Sequence, residues 1–73
     1  MTEEEKVGRA LLRACTDLPE GWTIRIDLEN GAGDIEICDS KGDILALDLS
    51  GEPFSDQINV HIDYAIEFEK ESP

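Results

Sequence analysis

The spacing of apolar positions along the chain changes once, near residue 19. Before it, Val7, Leu11, Ala14, Cys15 and Leu18 recur every three or four residues, the spacing of one helical face. Thr2 and Glu5 form a T-x-x-E capping box at the start of that run. Glu3, Glu4 and Glu5 put acids where the helix dipole favours them. Pro19 and Gly21 stop the pattern, so it predicts a helix over residues 2–17.

After residue 21 the period is two. Trp22, Ile24, Ile26 and Leu28 alternate with Thr23, Arg25, Asp27 and Glu29. Ile35 and Ile37 alternate with Asp34, Glu36 and Cys38, and Leu45, Leu47 and Leu49 with Ile44, Ala46 and Asp48. The longest run sets Ile58, Val60, Ile62, Tyr64, Ile66 and Phe68 against Asn59, His61, Asp63, Ala65, Glu67 and Glu69. Strands are therefore expected at residues 22–29, 34–39, 43–49 and 58–68. The connections at residues 30–33 and 39–43 have the Gly and Asx chemistry of hairpin turns, and residues 50–57 form a longer loop.

These elements predict one α+β domain over residues 1–73, an αββββ chain in two layers. One N-terminal helix packs on a four-stranded, mainly antiparallel sheet, whose other face is open to solvent. The strand at 58–68 is a candidate sheet edge for pairing with a second copy, and the pattern leaves monomer and homodimer both open.

Charge changes the picture most. Eighteen Asp and Glu against six Lys and Arg give a formal net charge of −12. Such a field repels nucleic acid and anionic membrane and attracts basic surfaces. Direct nucleic-acid binding needs clustered cations, and here they are scattered. No apolar run reaches the length of a membrane span. The acidic N-terminus lacks the features of a signal peptide, so the expected location is a reducing cytoplasm.

Hairpin closure over residues 30–33 sets Glu29 opposite Asp34, Asp27 opposite Glu36, Leu28 opposite Ile35 and Ile26 opposite Ile37. Closure over residues 40–42 sets Asp34 opposite Asp48 and Glu36 opposite Ala46. The open face then carries Asp27, Glu29, Asp34, Glu36 and Asp48, and the last strand adds Asp63, Glu67 and Glu69. These eight acids are the candidate partner-binding residues. Directly opposed like charges cost about 0.2–1 kcal/mol per pair. Alternate residues on a strand are roughly 6.6–6.8 Å apart, about the rise of two phosphate steps along one DNA strand.

Other chemistry is weaker. Glu29, Asp34 and Asp48 offer oxygens to a hard cation, but no Ca²⁺-loop spacing is present and a flat sheet makes a poor cage. Cys38 and His61 are both expected on the open face, without an orienting third group or a pocket. Cys15 is expected on the buried stripe of the helix, across the sheet from Cys38, which argues against a disulfide. Trp22, Tyr64 and Phe68 are expected in the core, and Phe54 in the loop. The chain is thus expected to be non-catalytic, with no metal and no cofactor.

In size, charge excess and the placing of Asp27, Glu29, Asp34, Glu36, Asp48 and Asp63, the chain resembles the small acidic DNA-mimic inhibitors of the anti-CRISPR type. No diagnostic motif is shared. The resemblance implies a phage-encoded inhibitor in a bacterial cytoplasm. It would occupy the basic groove of a nuclease or CRISPR effector subunit without binding nucleic acid itself. Two alternatives stand beside it: an immunity protein that neutralises a basic toxin, and a structural or adaptor protein whose charge serves solubility or salt adaptation.

Overall fold

The computed structural model describes residues 2–30, 32–45, 47, 49 and 51–71. Its order is α1 (Glu3–Asp17), β1 (Thr23–Glu29), β2 (Ala32–Cys38), β3 (Ile44–Leu45) and α2 (Phe54–Glu71). The strands form an antiparallel meander in the order β1-β2-β3. Two helices and three strands replace the expected single helix on four strands.

The first helix begins as its cap dictates. Thr2 Oγ1 accepts from the Glu5 backbone N–H at 3.3 Å, and the hydroxyl donates to Glu5 Oε1 at 3.2 Å. Its buried stripe is rotated from the expected one. Ala10 and Ala14 are buried, with Val7 and Leu18 packed beside them, whereas Leu11 and Cys15 are exposed. The chain leaves the helix through Pro19 and turns at Gly21, whose φ of 87° suits glycine. A Cβ there would also come within 3.0 Å of the Ser40 Cβ.

The larger correction is the segment expected as a fourth strand, which is α2. Its buried residues are Ser55, Ile58, His61, Ile62 and Ala65, a helical spacing that includes two positions the strand reading turned outward. Val60, Tyr64 and Phe68, expected inside, are 38–40% exposed. A strand of eleven residues would outrun β1 and β2, each of seven, leaving backbone groups unpaired, whereas a helix satisfies its own. Asp56 in the first turn and Lys70 in the last agree with the helix dipole. Phe54 is the first helical residue and packs against the core, not in a loop. The candidate sheet edge at 58–68 is removed with the strand.

The two helices run in the same sense, since Glu3 meets Ser55 near their starts and Arg13 meets Asp63 farther along. Ala10 and Ala14 of α1 pack against Ile58 and Ile62 of α2. Ile24, Ile26 and Ile35 close that cluster from the sheet. A second cluster joins Trp22, Ile37 and Ala65, with Leu18 and Leu45 at its side. The helices thus cover one sheet face.

The first hairpin is tighter than expected. Its register pairs Ile24 with Ile37, Arg25 with Glu36, Ile26 with Ile35, Asp27 with Asp34 and Glu29 with Ala32. Only Asn30 and Gly31 lie between the paired residues, the sequence most favoured in two-residue hairpins. Every side chain keeps its expected face, because the register moves by an even number of residues. The second register is the expected one, with Ile37 opposite Leu45 and Cys38 opposite Ile44. The described part of β3 is Ile44–Leu45; Ala46 and Asp48 lie outside the described residues.

Candidate functional site

The uncovered face of the sheet brings together four of the eight predicted site residues. Asp27 and Glu29 on β1 and Asp34 on β2 are exposed, and Glu36 on β2 is half-buried. Asp27 and Asp34 are direct cross-strand partners. Glu29 lies diagonal to Asp34, and Glu36 diagonal to Asp27, so the four acids form a compact group. The expected rows, Glu29 facing Asp34 and Asp27 facing Glu36, do not occur. Arg25 stands opposite Glu36, and its Nε lies 3.5 Å from Asp27 Oδ2. One cation therefore offsets one end of the group, and the other end stays acidic.

Asp48 lies outside the described residues. Asp63, Glu67 and Glu69 leave the sheet face, because they belong to α2. Each has a local partner there. Asp63 Oδ1 accepts from Arg13 Nη2. Glu67 lies 3.8 Å from Lys70 Nζ. Glu69 Oε1 accepts from Trp22 Nε1 at 2.6 Å. Asp63 thus joins the two helices, Glu69 ties α2 to Trp22, and Glu67 pairs within α2, so these acids do not extend the acidic face of the sheet.

Arg13 is a node that sequence spacing hides. Besides Asp63 it donates to Asn59 Oδ1 at 2.9 Å and, through Nε, to Asp17 Oδ2 at 3.3 Å. The hydrogen bond to Asp63 raises its pKa above the ordinary guanidinium value, and Asp17 adds to that against a partial desolvation. Glu3 is the second such residue. Its Oε1 accepts from the Ser55 backbone N–H at 2.9 Å, so a side chain of α1 caps α2. That bond holds the Glu3 carboxyl below its ordinary range. The Ser55 hydroxyl stands near enough to add to the effect, although it falls short of hydrogen-bond geometry, and Lys6 contributes in the same direction.

The Cys38–His61 pairing is overturned. His61 sits in α2, 1% exposed, and not on the open face of the sheet. Its Nδ1 lies 2.6 Å from the Gln57 carbonyl oxygen. A carbonyl only accepts, so Nδ1 carries a proton, and the buried Nε2 has no hydrogen-bond partner among the described residues. Cys38 is half-buried on β2 and Cys15 is exposed on α1, both as free thiols. Among the described residues, no three His, Cys, Asp or Glu side chains gather closely enough to hold a metal ion. Asp39 is nearly buried, and its Oδ1 accepts the N–H groups of Lys41 and Asp43, each at 2.9 Å, which shapes the β2–β3 turn.

Trp22, Phe68 and Tyr64 form a short ladder of ring contacts beside α2. Trp22 and Phe68 meet edge-on with centroids 5.4 Å apart, and Tyr64 lies 6.2 Å from Phe68. Two open clefts flank α1. One, of about 260 Å³, runs between the helices past Lys6, Arg9, Arg13, Asp56 and Asn59. The other, of about 440 Å³, is apolar and lies between Leu11, Ala14, Cys15 and Leu18 of the helix segment and Ile24 and Ile26 of β1. Among the described residues, no helix is long and apolar enough to cross a membrane.

A scan against protein-family models and searches of curated proteins and of solved structures returned no match to this chain.

Proposed function

We propose that this protein is a non-catalytic acidic binding protein. In this reading its uncovered sheet face docks on the basic nucleic-acid groove of a partner protein and excludes the nucleic acid. The observation that carries the reading is the directly opposed pair Asp27 and Asp34, with Glu29 and Glu36 diagonal to it on a face that no helix covers. Self-repulsion there costs stability in a small domain, and a basic surface that seats among the four carboxylates relieves it. The net charge of −12 steers such a partner from a distance. A nuclease or CRISPR effector subunit of bacterial defence is the partner class the resemblance implies. The working surface is narrower than the eight acids expected from the sequence. It centres on Asp27, Glu29, Asp34 and Glu36, while Asp63, Glu67 and Glu69 lie on α2.

The test is capture of partners from bacterial lysate at low salt, with elution by a salt gradient. A basic nucleic-acid enzyme that is displaced by duplex DNA, and not retained by the Asp27→Lys/Asp34→Lys double variant, supports the proposal. A partner retained equally by the double variant rules out this face. Recovery of no basic partner from lysates that include the native host returns the charge to solubility.

A further inference from the structure

The meander leaves β1 as a sheet edge of seven residues, whose charged side chains are Arg25, Asp27 and Glu29. It carries no proline and no lysine, and its pairing with β2 runs without a bulge. The apolar cleft of about 440 Å³ opens alongside it. Leu28 on the strand is 72% exposed, and Leu11 of α1, which lines the cleft, is 41% exposed, large areas for aliphatic side chains to leave in water.

The strand is also complementary to itself. In Thr23-Ile24-Arg25-Ile26-Asp27-Leu28-Glu29 the opposite charges of Arg25 and Asp27 flank Ile26, while Glu29 has Thr23 as its counterpart. An antiparallel copy related by a two-fold axis at Ile26 sets Arg25 opposite the partner's Asp27, and Asp27 opposite the partner's Arg25. Ile24 falls opposite the partner's Leu28, and Thr23 opposite the partner's Glu29. Arg25 and Asp27 lie on the open face, and Ile24, Ile26 and Leu28 alternate with them toward the helix side. A single alignment thus pairs Arg25 with Asp27 on one face and covers Leu28 on the other.

We infer that β1 is a homodimer edge, at which two copies join their sheets antiparallel into one six-stranded sheet. The occupant is a second copy of this chain because the alignment at Ile26 doubles the Arg25–Asp27 contact already made within each strand by one across the axis, and covers Leu28 at the same time. Repulsion between two chains of net charge −12 opposes association, so the interface needs enough salt to screen it.

The test is sedimentation equilibrium at roughly 0.15 M salt, with the chain taken to about millimolar concentration. The wild type is expected to rise from its monomer mass of 8.1 kDa toward twice that value. Arg25→Asp sets acid against acid across the axis, and Asp27→Arg sets base against base, so each single variant should stay monomeric. The double variant Arg25→Asp/Asp27→Arg restores the pairing and should dimerise again. Circular dichroism shows whether each variant is folded, and rescue by the double variant separates a lost interface from a damaged strand. A wild type that stays monomeric throughout, or single variants that dimerise as the wild type does, would overturn the inference.

Discussion

Asp27 and Asp34 face each other across β1 and β2, both exposed, with Arg25 paired to Asp27 beside them. Opposed carboxylates on adjacent strands repel, and the helices sit on the other face, so packing does not offset the cost. Asp34→Lys turns the repulsion into an ion pair and is expected to stabilise the fold by about 0.2–1 kcal/mol. Urea unfolding followed through Trp22, the only tryptophan, measures it. A variant less stable than the wild type would mean that the pair carries no strain. The proposed function adds a second readout, since the same stabilising change should abolish capture of a basic partner.

Arg13 ties three residues of two helices together, and its guanidinium fork is what makes that geometry work. Arg13→Ala is expected to cost about 1–2 kcal/mol, less than a buried network would, because Asp17 and Asp63 are more than half exposed. Arg13→Lys should recover little, since one ammonium cannot reach Asp17, Asn59 and Asp63 together. Thermal unfolding at low and high salt checks both variants. The wild-type advantage should shrink as salt screens the pairs.

The sequence was most legible where one signal had no rival. The T-x-x-E cap, the acidic first turn and Pro19 define α1 to within a residue of its observed span. The even spacing of Ile24, Ile26, Ile35 and Ile37 defines the buried sheet face. Register was harder, because closures that differ by two residues bury the same side chains. Asn30-Gly31 held the deciding information. The last element misled because Ile58, Val60, Ile62, Ile66 and Phe68 favour strand by type and by period two. The same segment carries a helical stripe of Phe54, Ile58, His61, Ile62 and Ala65, legible only if histidine and alanine count as core. The candidate site changed accordingly. Four acids fixed by the β1–β2 hairpin kept their face, and the three on the misread segment moved to α2.

The helical assignment of α2 has its own test in a pair of substitutions. Ala65 is fully buried, although alternation places it in solvent; Val60 is 39% exposed, although alternation buries it. Ala65→Asp should cost more than about 3 kcal/mol or prevent folding, since it buries a charge without a partner. Val60→Ser should cost about 1 kcal/mol or less. The reverse ranking in urea unfolding would restore the strand.

Glu3 makes the stability of the helix pair depend on pH in a defined direction. The hydrogen bond from the Ser55 backbone N–H favours the carboxylate and lowers its pKa in the fold from the ordinary 4.5. The folded state therefore binds this proton less tightly than the unfolded chain does. The contribution of Glu3 is complete above the unfolded value and fades as pH falls through the lower, folded one. Glu3→Gln keeps an acceptor for the Ser55 N–H but removes the titration. The difference in melting temperature between wild type and variant should favour the wild type near neutral pH. It should narrow on acidification below about 4.5. Comparing the two proteins cancels the self-repulsion of the other seventeen acids, which acid relieves in both. A difference that stays constant across that range would show that the Glu3 charge plays no part in capping α2.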